Sequence, residues 1–304
     1  MTESSPVVKS RLPLAEIALV GVAAIWGLTF PMVKDAVDGF PVSTFLAYRF
    51  LSAFVLVAGF SLLQHNGLRK LDREGWIGGV IMGIFLTSGY VFQTLGLERT
   101  SASNAGFITG LFVVLTPLFG AILLKHKAGA PAWLAAFVSA VGLFLLSRTG
   151  GTGDLDGDAL VFLCACSFSF HILATGRVAK QHDTAALLAV QLGVCGVITF
   201  VWSTSAGELM VPREDSLWVA LVVTSLFATA LGFYIQTYAQ RHASEARTAL
   251  ILASEPAFAG LFAYILLDEK LTALGWLGAA LILSSIVMVE VIPYMRPPRP
   301  LPEG

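Results

Sequence analysis

Charge is what this chain of 304 residues has least of: Asp, Glu, Lys and Arg make up 13% of it, against roughly 25% in an average soluble domain. A soluble core of that length is excluded and no nucleic-acid partner is expected, while the net charge of −1 by itself says little about partners. Cysteine is scarce too. Cys164, Cys166 and Cys195 form no CxxC, and Cys164 and Cys166 point to different helix faces, so no disulfide or metal framework is expected. They read as small apolar residues in packed helices. Paired catalytic carboxylates, His-Cys ligand sets, a P-loop and GxSxG are all missing, so the chain reads as a non-enzyme without a cofactor. The stretch RTGGTGDLDGD, residues 148 to 158, lacks the EF-hand ligand order and its terminal Glu, and reads as a solvated linker.

What is present is apolar sequence: 56% hydrophobic residues and a mean hydropathy of +0.78. Ten runs approach the ~20 residues that a helix needs to cross a bilayer. They cover 13–34, 41–63, 75–97, 102–124, 131–147, 158–178, 184–204, 216–238, 245–267 and 272–293, the fifth being short. Turn and cap signals separate them, among them Asp38-Gly39-Phe40-Pro41 and Asn66-Gly67, and Asp158 reads as a helix N-cap. A membrane barrel needs alternating polarity, which these runs do not have. The first run follows Lys9 and Arg11 but contains Trp26 and Pro31, and no small-x-small cleavage site follows, so it reads as a retained helix.

Orientation follows from Lys and Arg in alternate loops. With the N-terminus inside, thirteen fall on the inner side and five, Lys34, Arg99, Arg148, Arg213 and Lys270, on the outer, with Arg49 inside a helix. Both termini are therefore expected in the cytoplasm of a multi-pass plasma (inner) membrane protein.

An internal repeat organises the chain into 1–150 and 151–304. Residues 93 to 136 laid over 236 to 279, a shift of 143, give thirteen identities in forty-four positions, including Gln93/Gln236, Thr94/Thr237, Lys127/Lys270 and Trp133/Trp276. Five helices per half is odd, so the second half enters the membrane from the opposite side. Inverted repeats of this kind recur in secondary transporters, where two halves close on either side of a central site.

At this point the chain resembles a known family. Trp26-Gly27-Leu28-Thr29-Phe30-Pro31, Tyr48-Arg49-Phe50-Leu51, Gly157-Asp158 and above all LASEPAFAGLFAYILLDEKL are similar to the EamA-type, ten-helix branch of the drug/metabolite transporter superfamily. The resemblance implies an all-α membrane protein: ten transmembrane helices as two inverted five-helix repeats around a central cavity. It also implies movement of small metabolites, often amino acids or related compounds, commonly outward. Ser167-Phe168-Ser169 replaces a tryptophan usual in the family, and Lys125-His126-Lys127 stands where an acidic residue is typical.

An ionisable residue at mid-membrane is costly and normally faces a cavity or a partner. Glu255 lies about 15 Å into helix 9 and Arg49 about 12 Å into helix 2 from the other side, at ~1.5 Å per residue. Glu255 reads as a ligand for a substrate amine or a proton, or with Arg49 as a structural ion pair. Pro256 removes the donor to the Leu252 carbonyl and Pro117 the donor to Val113, so both helices should break. Interrupted helices in corresponding positions of two halves point to a transporter site.

Trp26 and Phe30, Tyr90 and Thr94, His171, Gln191 and Tyr234 complete the expected cavity lining, with Gln93 and Gln236 as gate elements. Each has a plainer reading as an interhelical bond or interfacial anchor. Gly79/Gly83 and Gly106/Gly110 read as close-packing pairs. Arg49 is the one deep cation, too little to hold the phosphates of a nucleotide sugar. The expectation is a secondary transporter of small metabolites with a metabolite and the lipid bilayer as partners, monomer and homodimer both open. The alternative is a membrane sensor or scaffold that transports nothing.

Overall fold

A computed structural model describes residues 12–65, 67–100, 102–125, 130–147, 155–267, 272–278, 280–282 and 284–285. The regular structure among these residues is all helical, with no strand. The chain runs α1 (Leu12–Val37), α2 (Val42–His65), the short α3 (Gly67–Lys70), α4 (Arg73–Leu97), α5 (Ala102–Gly110), α6 (Phe112–Leu123) and α7 (Ala130–Ser147). It continues through α8 (Leu155–Val178), α9 (Thr184–Ser205), α10 (Asp215–Val222), a π-helical turn (Val223–Leu231), α11 (Gly232–Gln240), α12 (Glu245–Leu252) and α13 (Glu255–Leu267).

Seven helical stretches among the described residues are long and apolar enough to cross a membrane, the last of them Asp215–Gln240. The other three expected runs are Trp133–Gly142, shorter than a span; 245–267, divided into α12 and α13; and 272–293, where Ala273–Ile282 is the apolar helical part. The outer faces carry large apolar side chains such as Val55, Phe137, Phe144, Val197 and Trp218, as a lipid-facing surface requires. The interior is unusually polar. Thr87, Thr175, Thr199 and Thr224 each donate a hydroxyl to the carbonyl four residues back, which lets a polar side chain sit in a dry interior at little cost.

Packing depends on glycine. A Cβ on Gly79 or Gly83 would lie under 3 Å from Val190 or Val194, so this pair seats α4 on α9 within the bundle, and Gly106 meets Ala259 at ordinary contact distance. Asp72 caps α4 by accepting from the Gly75 N–H at 2.8 Å, and Asp183 caps α9 through the Ala186 N–H at 2.9 Å. Asp158 is not a cap. Helix α8 begins at Leu155, so Asp158 stands in its first turn and accepts instead from the Thr100 hydroxyl at 2.7 Å. Lys9, Arg11, Asn66, Lys127, residues 148–154 and Lys270 lie outside the described residues.

Both expected helix interruptions exist, but neither is a kink at the proline itself. Helix 4 breaks at Leu111 and α6 then runs on through Pro117. Helix 9 breaks at Ala253-Ser254, and Pro256 falls in the first turn of α13. Proline is tolerated in a first turn, where its missing N–H has no helical partner to lose, so it helps start the second piece.

Candidate functional site

A cavity lies between the helices. From α1 come Trp26, Thr29, Phe30 and Val33, whose spacing of three and four residues puts them on one face. Arg49 comes from α2, Tyr90, Gln93 and Leu97 from α4, and Phe112 from the start of α6. The second half of the chain adds Phe168, His171 and Ile172 of α8, Phe233 and Gln236 of α11, Leu252 at the end of α12 and Glu255 at the start of α13.

Arg49 is 2% exposed. Its Nε donates to Thr229 Oγ1 at 2.8 Å and its Nη2 to the Tyr90 hydroxyl at 3.1 Å. The guanidinium carbon lies 4.3 Å from the centroid of the Tyr90 ring, a cation–π contact that adds to the bond. Of the five guanidinium N–H donors, the other three have no partner among the described residues. They are available to a planar anion, which a guanidinium fork suits.

The π-helical turn makes this arrangement possible. Its wider backbone, closed by the Gly232 N–H donating to Phe227 five residues back, turns the Ala228 carbonyl toward α1, where it accepts from Trp26 Nε1 at 2.7 Å. Gly232 leaves room for the indole: a Cβ there would stand 3.0 Å from Trp26 Nε1. Such turns concentrate at functional sites.

Glu255 is 6% exposed and makes neither a hydrogen bond nor an ion pair through its side chain with any described residue. It lines the same cavity as Arg49 and Tyr90 and makes no direct pair with Arg49. Its backbone is held by α1. A Cβ on Gly27 would meet the Glu255 carbonyl at 2.8 Å and the Ala259 nitrogen at 2.7 Å, so α1 lies directly on the first turn of α13.

Of the residues expected to line the cavity or gate it, Trp26, Phe30, Arg49, Tyr90, Gln93, His171, Gln236 and Glu255 meet in its wall. Gln191 stands behind, with Oε1 2.7 Å from His171 Nε2. Thr94, Pro117 and Pro256 are buried but outside the lining. Tyr234 is turned away, packed edge-to-face on the half-exposed Phe60 at 6.1 Å between ring centroids. The sequence reading missed Thr29, Phe112, Phe168 and Phe233. The repeat would have found two of them: the 143 shift pairs Phe233 with Tyr90 and Phe112 with Glu255. Nothing in the sequence marks Thr229, whose role depends on the π-helical turn.

Away from the cavity, Arg247 of α12 pairs with Glu16 of α1 at 2.7 Å. Asp72 meets His182 Nε2 at 2.9 Å, tying the start of α4 to the α8–α9 turn. The Gly75 N–H chiefly, and His182 with it, hold the Asp72 carboxyl below its ordinary value.

A helical bundle with an apolar belt and a buried, charged internal cavity defines a multi-pass membrane protein. The EamA-like transporter family matches residues 13–148 and again 155–291, and the chain belongs to that family. It is 32% identical to a protein of Archaeoglobus fulgidus named as a transporter, over 91% of this chain and 86% of that one. It is 24% identical to the inner membrane transporter YedA of Escherichia coli K12, over 93% of each. A solved crystal structure superposes with a TM-score of 0.74 at 17% identity, covering 91% of this chain and 96% of the other, and shares the fold. The chain is thus a membrane transporter by family.

Proposed function

We propose that this protein is a secondary carrier of small metabolites, exporting amino acids or related amphipathic compounds across the inner membrane by alternating access. On this reading it has ten spans in two inverted five-helix repeats, both termini in the cytoplasm, and one repeat in 1–150 and the other in 151–304. Its partners are the solute and the bilayer, as monomer or homodimer. The observation that carries the proposal is a pair of buried ionisable side chains of opposite type, Arg49 and Glu255, in one cavity and not paired with each other. Unpaired intramembrane charges are expensive and are kept where a ligand uses them. Arg49 offers N–H donors to a carboxylate, and Glu255 an acceptor to an amine or a proton. Helix breaks at corresponding positions of two repeats beside the same cavity support it. Gln93 and Gln236, also repeat mates, would act as gates from the cavity wall.

The test is efflux of a broad metabolite panel from proteoliposomes, wild type against Glu255→Gln. Export of one or more amphipathic solutes that the variant loses supports the carrier; no flux of any solute would leave a sensor or scaffold as the better reading.

A further inference from the structure

The hydrogen-bond roles of two cavity residues are fixed by chains that end on backbone carbonyls. The Ile172 carbonyl can only accept, so Gln240 must turn its Nε2 to it, at 2.8 Å. The Gln240 Oε1 is then an acceptor as well, and Gln236 must turn its own Nε2 toward it, at 3.1 Å. Gln236 is left with its Oε1 as the free end of the chain. That oxygen is buried and has no hydrogen-bond partner, in a side chain 2% exposed that lines the cavity.

A second chain works the same way. The Leu187 carbonyl takes the Gln191 Nε2 at 3.3 Å, so Gln191 offers Oε1 to His171 Nε2 at 2.7 Å, and that ring nitrogen must carry the proton. The neutral imidazole then presents Nδ1 as a lone-pair acceptor, without a partner among the described residues. Gln236 Oε1 on α11 and His171 Nδ1 on α8 are therefore acceptors with no choice of role, on two side chains that line the cavity. Glu255 adds an unpartnered carboxylate from α13. Donors lining the same cavity include the spare N–H groups of Arg49 on α2 and, on α4, the hydroxyl of Tyr90 and the amide nitrogen of Gln93.

We infer that the cavity selects a solute bearing a primary ammonium group, whose N–H donors meet Gln236 Oε1, His171 Nδ1 and Glu255, and rejects the same solute once the nitrogen is fully methylated. A quaternary ammonium carries the same charge and no N–H. It would satisfy Glu255 electrostatically but leave two buried acceptors unpaired, which is where discrimination by a polar site comes from. Gln240 and Gln191 are positioning residues in this scheme. The inference rests on the proposed transport of amphipathic solutes and adds which nitrogen chemistry is accepted.

The experiment measures binding to the purified full chain and flux in proteoliposomes for the standard α-amino acids and their N,N,N-trimethyl betaines, in pairs. The wild type is expected to bind at least one primary amine with about a tenfold or greater preference over its betaine, the scale of one lost charged hydrogen bond. Gln236→Met, nearly isosteric, should cut that preference severalfold, Gln240→Leu less so, and Gln236→Glu should keep it. A mere folding defect would weaken both members of a pair and leave the ratio alone. Equal binding of the two members, or a ratio unmoved in Gln236→Met because water alone serves that oxygen, overturns the inference. Flux confined to solutes without an amino group would overturn it too while leaving the carrier intact; no binding and no flux for any solute would take down both.

Discussion

Leu111 and Ser254, 143 residues apart, make the same two backbone hydrogen bonds. Each donates its N–H to an isoleucine carbonyl three residues back, Ile108 and Ile251, at 3.1 Å. Each accepts from the N–H four residues on, Leu115 at 3.0 Å and Phe258 at 3.1 Å. Two helices that both contribute to one cavity wall are thus interrupted in one local geometry. The break at Ser254 sets Leu252 and Glu255 side by side in the cavity wall.

Restoring a donor at the second break should join the two pieces. Pro256→Ala supplies an N–H four residues after Leu252 and removes the ring. Stability in detergent is expected to be unchanged or higher by up to about 1 kcal/mol, the scale of one net hydrogen bond, while flux falls severalfold because Glu255 is re-aimed. Thermal unfolding and flux on the same preparation check it; wild-type flux with a higher Tm would remove the break from the mechanism.

The contact of α1 with α13 allows a sharper comparison. Gly27→Ala puts a methyl 2.7 Å from the Ala259 nitrogen and 2.8 Å from the Glu255 carbonyl, both backbone atoms that cannot swing aside. Destabilisation of about 1–3 kcal/mol is expected, the usual cost of overpacking. Gly21→Ala in the same helix meets nothing within 4 Å and serves as the control. Equal unfolding midpoints for the two would contradict the packing described.

Trp26→Phe keeps the ring that packs against Phe233 at 5.0 Å but leaves the Ala228 carbonyl without its donor. The cost should be about 1–3 kcal/mol, that of a buried acceptor left unmade. Slower-exchanging amides of the 223–231 turn in the wild type should exchange faster in the variant.

At the α4 start, pH enters with a definite sign. Asp72 binds its proton less readily folded than unfolded, so the stability it adds is complete above its ordinary value of 3.8 and is lost as pH falls through its lower folded value. Asp72→Asn keeps a capping oxygen and removes the charge. The Tm difference between wild type and variant should be small and constant at neutral pH and close only below about pH 4; a gap that opened on acidification would reverse the sign.

How far the sequence could be read depended on the kind of signal. The all-helical membrane bundle follows from period and composition, with seven of the ten expected runs long and apolar enough to span among the described residues, and eight expected site residues meet in one wall. Tyr234 failed by one position. It stands about 100° around the helix from Phe233, the residue that the repeat pairs with Tyr90 and that lines the cavity. The prolines marked the right helices but not the broken turns, because a first turn accepts proline without strain. Arg49 looked ready to pair with Glu255; the π-helical turn, which no residue pattern announces, supplies Thr229 instead.

The central claim is that Arg49 and Glu255 are held apart for a solute to use. Counterflow of a transported solute in proteoliposomes, measured across pH for wild type, Glu255→Gln, Arg49→Gln and the double variant, tests it most directly. Each single variant should lose at least tenfold in flux with little change in Tm, and the double variant should recover nothing, since no ion pair between them is being restored. Wild-type flux and pH dependence in Glu255→Gln, or recovery in the double variant, would contradict it.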